Sequence, residues 1–198
     1  GSKGKGSTAV LLATILQKHG WRAGLFTSPH LIRFTERIRV NGTVIPDQAF
    51  IRIGHQVSEA AVPLISTLKP HEYMGPVGLT AAIAARYFQE QQTEINVWEC
   101  GRGALWDDVN QLYHEGAIIT PIMEEHLTYL GPELKDVVRH KTGIITPSVR
   151  DVWIGRQGEK VLRLMQALAP FHLSSNTVFF GEDVDVGDVR PGINGTRF

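Results

Sequence analysis

The first eight residues of the chain have the composition of a phosphate-binding loop. They read Gly1-Ser2-Lys3-Gly4-Lys5-Gly6-Ser7-Thr8 and lead directly into an apolar stretch, Ala9–Leu16. Glycines let backbone N–H groups turn toward an anion, the N-terminus of a helix adds partial positive charge, and Lys5 can reach the outer phosphates. All eight residues are therefore predicted to bind a nucleotide. The alternative is a glycine-rich helix start that binds no ligand.

The position after Lys5 departs from the common phosphate loop. Serine or threonine usually follows the lysine and gives its hydroxyl to Mg²⁺, whereas this chain has Gly6 at that place. Either Ser7 or Thr8 replaces that hydroxyl, or another segment of the chain supplies it.

Three further polar residues follow predicted strands, at the point where each strand ends. They are Ser28, Glu99 and His126. The carboxyl ends of parallel strands share one edge of a sheet, and phosphate loops lie at the same edge. Glu99 suits Mg²⁺, because a hard cation prefers carboxylate oxygen. Each residue also has an ordinary interpretation: a solvated strand-end carboxylate for Glu99 and a surface or core histidine for His126.

The elements that must position these residues follow from the hydrophobic pattern. It predicts helices at 7–19, 47–68, 76–92, 134–141 and 159–168, strands at 23–27, 95–99, 117–120, 149–155 and 177–186, and a hairpin over 37–45 around Asn41-Gly42. Alternating strands and helices are typical of an α/β fold with a mostly parallel sheet and helices on both faces. A phosphate loop normally follows a strand, so a further strand is expected upstream of Gly1.

Composition narrows the possible functions. The chain has 198 residues, with 20 basic against 20 acidic side chains and one cysteine. The absence of net charge gives no electrostatic reason to expect nucleic acid or an anionic membrane as a partner. A single cysteine and no recognisable secretion signal lead us to expect a cytoplasmic protein.

Several motifs occur in one order along the chain. After the phosphate loop come Leu25–Leu31 (Leu-Phe-Thr-Ser-Pro-His-Leu), Glu36–Ile38 with Asn41-Gly42, Glu99-Cys-Gly101, Ile119–Ile122, His126 with Leu130-Gly131, and Lys141–Ile144. This set resembles the folylpolyglutamate synthase and dihydrofolate synthase family, a branch of the Mur ligases. The matches span about Gly1 to Ile154.

The resemblance implies an activity and a domain. The domain is the P-loop NTPase-like, ATP-binding central domain of a Mur-type ligase, filling 1–198 but incomplete. The family's upstream strand and C-terminal amino-acid-binding domain are not recognisable here. The activity is ATP-dependent addition of glutamate to a folate-type carboxylate through an acyl phosphate, and we expect the chain alone to be inactive.

The resemblance also assigns roles to individual residues. It implies that ATP and Mg²⁺ are bound, with one Mg²⁺ between Ser28 and Glu99 and a second bridging Glu99 and His126. On this view Ser28 supplies the hydroxyl that Gly6 lacks. Lys141 matches a lysine that becomes a carbamate in the family. The alternative interpretation of Lys141 is a solvated basic residue at the end of a helix. Lys5, His126 and Lys141 are thus the candidate catalytic residues, and His30, Asp107 and Asn110 are the candidate substrate contacts.

The chain departs from the family pattern at several positions. The arginine after the glycines is absent from 101–110, the segment before the third helix is Tyr73–Thr80, and Lys3, Glu125 and His140 replace other residue types. Two alternatives therefore stay open. One is a Mur-type amide ligase that acts on a non-folate acid, and the other is a degenerate nucleotide-binding module without catalysis.

Overall fold

The computed structural model describes residues 4–170, 176–185 and 187, together with the backbone of 190–192 and 195–197. In this part of the chain the α-helices are α1 (Lys5–Lys18), α2 (Asp47–Ile65), α3 (Pro76–Glu90), α4 (Leu127–Leu130), α5 (Leu134–Thr142) and α6 (Glu159–Leu168), and there are two short 3-10 helices, Phe34–Arg37 and Asp108–Gln111. The strands are β1 (Ala23–Phe26), β2 (Ile38–Val40), β3 (Thr43–Val44), β4 (Ile95–Trp98), β5 (Gly116–Ile119), β6 (Asp151–Ile154), β7 (Asn176–Phe179), β8 (Arg190–Gly192) and β9 (Gly195–Arg197). No helix within the described ranges has both the length and the hydropathy needed to cross a membrane.

The chain divides into two compact units. The first takes in the described residues of Gly1–Arg102 and Trp106–Leu112, and the second those of Gly103–Leu105 and Tyr113–Phe198. Each unit contains helices and a sheet with at least one parallel strand pair, so the predicted α/β class is confirmed.

The sheet of the first unit has the strand order β3-β2-β1-β4. β1 runs parallel to β4, with Phe26 opposite Trp98, and antiparallel to β2, with Phe26 opposite Ile38. The hairpin predicted around Asn41-Gly42 is confirmed, since β2 pairs antiparallel with β3 and both turn residues have positive φ angles, 46° and 77°.

Helices cover both faces of this sheet. Leu25 packs with Ala9 and Ala13 of α1, whereas the next residue, Phe26, packs in a larger core that includes α2 and α3. Neighbouring residues of a strand point to opposite faces, which explains this division. On the α3 side the approach is close: a Cβ on Gly24 would lie 2.9 Å from the Phe88 ring, so no side chain fits there.

The larger sheet of the second unit consists of the parallel strands β5-β6-β7, and β8 pairs antiparallel with β9 in a separate two-stranded sheet. Val152 and Ile154 point into a core that also contains Val137 and Val138 of α5 and Met165 of α6. The strand predicted over 177–186 is too long, because β7 ends at Phe179. The N–H of Phe179 donates to the Asp183 carboxylate at 2.8 Å, and Gly181 has a φ of 98°, so the chain turns directly after the strand.

Candidate active site

The predicted phosphate loop leads into a helix, as expected. Gly4 precedes α1 in the left-handed conformation, with φ 86°, and its carbonyl accepts the Thr8 N–H at 2.8 Å. Because α1 begins at Lys5, the N–H groups of its first turn have no acceptor within the helix. This arrangement suits an anion such as a phosphate. Gly1, Ser2 and Lys3, also predicted to bind nucleotide, lie outside the described residues.

Glu99 lies against the start of this helix. Its backbone N–H extends the ladder of β4 by donating to the Phe26 carbonyl at 2.9 Å. One carboxylate oxygen, Oε2, accepts the backbone N–H of Ser28 at 2.9 Å. A Cβ on Gly6 would lie 3.3 Å from the same oxygen. The fold of the first unit thus brings together Gly6, Ser28 and Glu99, which are far apart in sequence.

The electrostatics of Glu99 fit a ligand-binding carboxylate. Only 5% of the residue is exposed, and this burial raises the pKa of its carboxyl group. The hydrogen bond from Ser28 and the positive charge of Lys5 lower the same pKa and partly offset the burial. A buried acid in the field of the loop lysine is a common feature of functional sites.

Gly6 has no side chain, which leaves room for the Glu99 carboxylate. We expect Gly6→Ala to lower Mg-ATP affinity about tenfold, because the methyl group crowds the carboxylate at a cost of about 1–3 kcal/mol. Alanine in a helix also gains about 0.5–1 kcal/mol over glycine, so the free energy of unfolding should fall by no more than about 2.5 kcal/mol. Isothermal titration with Mg-ATP measures the affinity.

Gly54→Ala is the matched control for this substitution. A Cβ there would lie at an ordinary 3.8 Å from the Ile83 side chain, in the middle of α2. We expect this variant to be more stable than the wild type and to bind nucleotide equally well. Unchanged Mg-ATP affinity in Gly6→Ala would contradict the role assigned to this contact.

Asp107 closes the loop that follows β4. Its Oδ2 accepts the Gly101 N–H at 2.8 Å and its Oδ1 accepts the Val109 N–H at 3.0 Å. Burial raises the pKa of this carboxyl group, and the two backbone hydrogen bonds lower it. Both carboxylate oxygens therefore accept backbone N–H groups and fix the loop, a structural role that the sequence did not indicate. Asn110 lies in the short 3-10 helix Asp108–Gln111, whose N-cap is Asp107.

Cys100 lies between Glu99 and Asp107 in the chain. Burial raises the pKa of its thiol to about 12, and the negative charge of Asp107 adds to the increase. Because the thiolate is the reactive form, we expect iodoacetamide at pH 8 to modify the native protein at least about ten times more slowly than the unfolded protein. Mass spectrometry of the alkylated chain with and without guanidinium measures the two rates, and equal rates would contradict this prediction.

His30 belongs to an ordered loop after β1. The Arg37 Nε donates to its Nδ1 at 3.1 Å, and the Phe34 ring packs against the imidazole at 5.3 Å between centroids. Glu36 anchors the same loop by accepting the backbone N–H groups of residues 31, 32 and 33 at 3.1, 3.2 and 2.8 Å. These bonds lower the pKa of the Glu36 carboxyl group.

His126 and Lys141 lie in the second unit. His126 is exposed and has a φ of 57°. It precedes α4, and its carbonyl accepts the N–H groups of Tyr129 and Leu130 in that helix. Lys141 donates from Nζ to Glu125 Oε1 at 2.9 Å, with the two side chains only 13% and 16% exposed. The residue next to His126 thus pairs with the candidate carbamate lysine, which the sequence pattern did not indicate.

No three histidine, cysteine, aspartate or glutamate side chains gather around one point in the described part of the chain. A cation at Glu99 therefore needs oxygen ligands of other kinds. Mg²⁺ commonly binds one or two carboxylates and takes its other ligands from substrate phosphates and water. The Ser28 hydroxyl, Glu99 and a nucleotide in the loop would satisfy that pattern.

Known proteins are similar to the chain in sequence and in fold, although no protein-family model matches it. The chain is 32% identical over 191 residues to a dihydrofolate synthase/folylpolyglutamate synthase of Bacillus subtilis (strain 168), covering 92% of this chain and 44% of that protein. It therefore spans less than half the length of this relative.

Two solved structures resemble the chain along nearly its whole length. A Mycobacterium tuberculosis folylpolyglutamate synthase complexed with ADP and AMPPCP matches with a TM-score of 0.88 and 25% identity, covering 98% of this chain and 45% of that one. A folylpolyglutamate synthase complex with AMPPCP and folate matches with a TM-score of 0.83 and 25% identity, covering 98% and 49%.

Proposed function

This chain belongs to the folylpolyglutamate synthase/dihydrofolate synthase family, and we propose from this that it forms the ATP-binding part of a ligase that joins glutamate to a folate-type carboxylate. The observation that carries the proposal is the position of Glu99. Its buried carboxylate accepts the Ser28 N–H and lies beside Gly6, next to the helix start where a phosphate fits.

The chemistry that we assign to this site is a transfer followed by a displacement. An oxygen of the acceptor carboxylate attacks the γ-phosphorus of ATP, and the bond to the β,γ-bridging oxygen breaks to release ADP. The amine of glutamate then attacks the acyl carbon, phosphate leaves, and the nitrogen loses a proton. Lys5 and the N–H groups of α1 hold the phosphates during the first step, in which the protein contributes position and charge.

We propose that Mg²⁺ binds at Ser28 and Glu99. The hydroxyl of Ser28 and the carboxylate of Glu99 are hard oxygen donors, which fit this cation. When bound, Mg²⁺ neutralises the negative charge of the phosphates. The glycine after Lys5 supports this assignment, since the usual loop hydroxyl is replaced there by space for Glu99.

The remaining roles are proposals of the same kind. We assign His126 to metal binding and Lys141 to a carbamate. The Lys141 side chain is only 13% exposed and, as an ammonium, pairs with Glu125, the residue before the histidine, a pair that carbamate formation would break. His30, Asp107 and Asn110 stay candidates for substrate contacts. For Asp107, the hydrogen bonds to Gly101 and Val109 indicate that it acts through the backbone.

We further propose that 1–198 corresponds to the ATP-binding central domain of a Mur-type ligase. The matches to the two solved structures support this assignment, since each covers 98% of the chain. We also propose that the protein acts in the cytoplasm; a single cysteine is in keeping with a reducing compartment.

The test is a turnover assay on the full-length protein. Phosphate release is measured with Mg-ATP and glutamate, using dihydropteroate, folates and other carboxylic acids in turn. Release that requires both glutamate and a pteridine acid supports the proposal. Glutamate-dependent release with another acid only would indicate a different amide ligase, and tight Mg-ATP binding without turnover on any acid would indicate a nucleotide-binding module.

A further inference from the structure

The side chain of Gln157 holds the segment that leads from β5 to His126. Gln157 lies three residues beyond the end of β6. Its Oε1 accepts the Ile122 N–H at 2.9 Å, and its Nε2 donates to the carbonyls of Thr120 and Gly155 at 3.3 and 2.9 Å. One amide group therefore satisfies three backbone groups, two of them on a segment 35 and 37 residues away in sequence.

The backbone on both sides of this amide is fitted closely. Gly155 N–H donates to the Ile119 carbonyl at 2.8 Å, and a Cβ on Gly155 would lie 3.4 Å from both that carbonyl oxygen and the Pro121 ring. A Cβ at 155 would therefore lie in ordinary van der Waals contact with the segment that Gln157 binds. The two loops after β5 and β6 are joined by backbone and side-chain bonds together.

The clamped segment ends at the candidate metal ligand. Ile122 is 4% exposed and packs in the core of the second unit. Three residues later Glu125 pairs with Lys141, and the His126 carbonyl is bound by α4, whose Leu130 is also buried. The backbone from Thr120 to His126 is thus fixed at its start by Gln157 and at its end by Lys141 and α4.

We infer that Gln157 is a positioning residue that sets the place of His126 for metal binding. This inference rests on the proposed function, because it needs His126 to bind a metal there. Glutamine is suited to the role, since its amide offers one acceptor and two donors, as the three backbone groups require. A carboxylate of the same shape would face the Thr120 and Gly155 carbonyls without a proton to donate.

The test compares Gln157→Glu and Gln157→Ala with the wild type in the full-length protein. Outer residues that orient metal ligands typically change metal affinity by about 10–100-fold. We expect both variants to need about tenfold more Mg²⁺ for half-maximal turnover. We also expect Mn²⁺ binding in the presence of ATP, followed by electron paramagnetic resonance, to weaken by a similar factor while ATP affinity in EDTA stays unchanged. Gln166→Glu, at an exposed position of α6, is the matched control.

Hydrogen exchange provides a readout that needs neither metal nor turnover. In Gln157→Ala the Ile122 N–H loses its acceptor, so peptides covering 120–126 should exchange at least about ten times faster, with α1 unchanged. Faster exchange with unchanged Mg²⁺ and Mn²⁺ dependence would overturn the inference and leave Gln157 a purely structural residue. If the wild type binds Mn²⁺ with ATP but does not turn over, the proposed function fails and the Mn²⁺ comparison still decides the inference. If the wild type binds no Mn²⁺ with ATP, both fail.

Discussion

Lys5→Ala is expected to lower glutamate-dependent turnover on the order of 10³-fold and to weaken ATP binding, while the fold stays intact. Lys5 begins α1 directly after the left-handed Gly4, where its ammonium can reach a bound phosphate. Loss of a fixed charge that stabilises a developing anion typically costs about 10²–10³-fold in rate. A lysine in the first turn opposes the helix dipole, so its removal should not reduce the free energy of unfolding.

Steady-state phosphate release and ATP titration of the full-length variant measure the two effects. Lys18→Ala is the matched control, since it removes the same side chain from the last turn of the same helix. There the positive charge favours the dipole, so this variant should lose about 0.3–1 kcal/mol of stability and keep its turnover. Lys5→Ala with turnover within threefold of the wild type would show that the loop does not bind the reacting phosphates.

Glu99→Gln is expected to remove at least about 10²-fold of the turnover and, at the same time, to stabilise the unliganded protein at neutral pH. The neutral amide is a poor ligand for a hard cation, which explains the first effect. The second follows from burial, which raises the pKa of the Glu99 carboxyl group. An acid that is harder to ionise in the folded state costs stability wherever it is ionised, and glutamine has no such cost.

The sign of this effect gives a pH dependence. Between the ordinary glutamate pKa and the raised folded-state pKa of Glu99, the folded protein binds more protons than the unfolded one, so wild-type stability falls as pH rises. The stability advantage of Glu99→Gln should therefore be full above the folded-state pKa and disappear as pH falls below the ordinary value. Urea unfolding at several pH values measures it.

Glu36→Gln is the control with the opposite sign. Its backbone hydrogen bonds lower the pKa of the Glu36 carboxyl group, so its ionised form stabilises the folded state. This substitution should destabilise the protein at neutral pH, and the difference should vanish as pH falls through the folded-state pKa of Glu36. If Glu99→Gln were instead less stable than the wild type at pH 7, its carboxylate would be a net stabilising group and the account of its burial would be wrong.

Local signals in the sequence were sufficient for most elements of the fold. The Asn41-Gly42 turn is specified by two residues that tolerate positive φ, and α1 is specified by a glycine-rich start followed by the apolar stretch Ala9–Leu16. The end of β7 was misplaced because the apolar residues around Val178 continue the strand pattern. The turn at 181–183 depends on a glycine and on one aspartate hydrogen bond.

The contacts that build the site were harder to predict. The sequence indicated Ser28 and Glu99 as separate strand-end residues, and their direct hydrogen bond, across 71 residues, appears only in the fold. Asp107 and Gln157 act on backbone groups, and such bonds carry no periodicity that a sequence could show. The pairing of Glu125 with Lys141 likewise depends on the packing of α5.

The ion pair of Lys141 with Glu125 and a carbamate on Lys141 exclude each other. As an ammonium, the lysine is neutralised by the carboxylate oxygen 2.9 Å away. Addition of carbon dioxide to the unprotonated amine, with loss of a proton from nitrogen, would leave two anions in contact, which repel each other. Carboxylation of Lys141 would therefore release the Glu125 side chain from its ion pair, and loss of the carbamate would restore that pair.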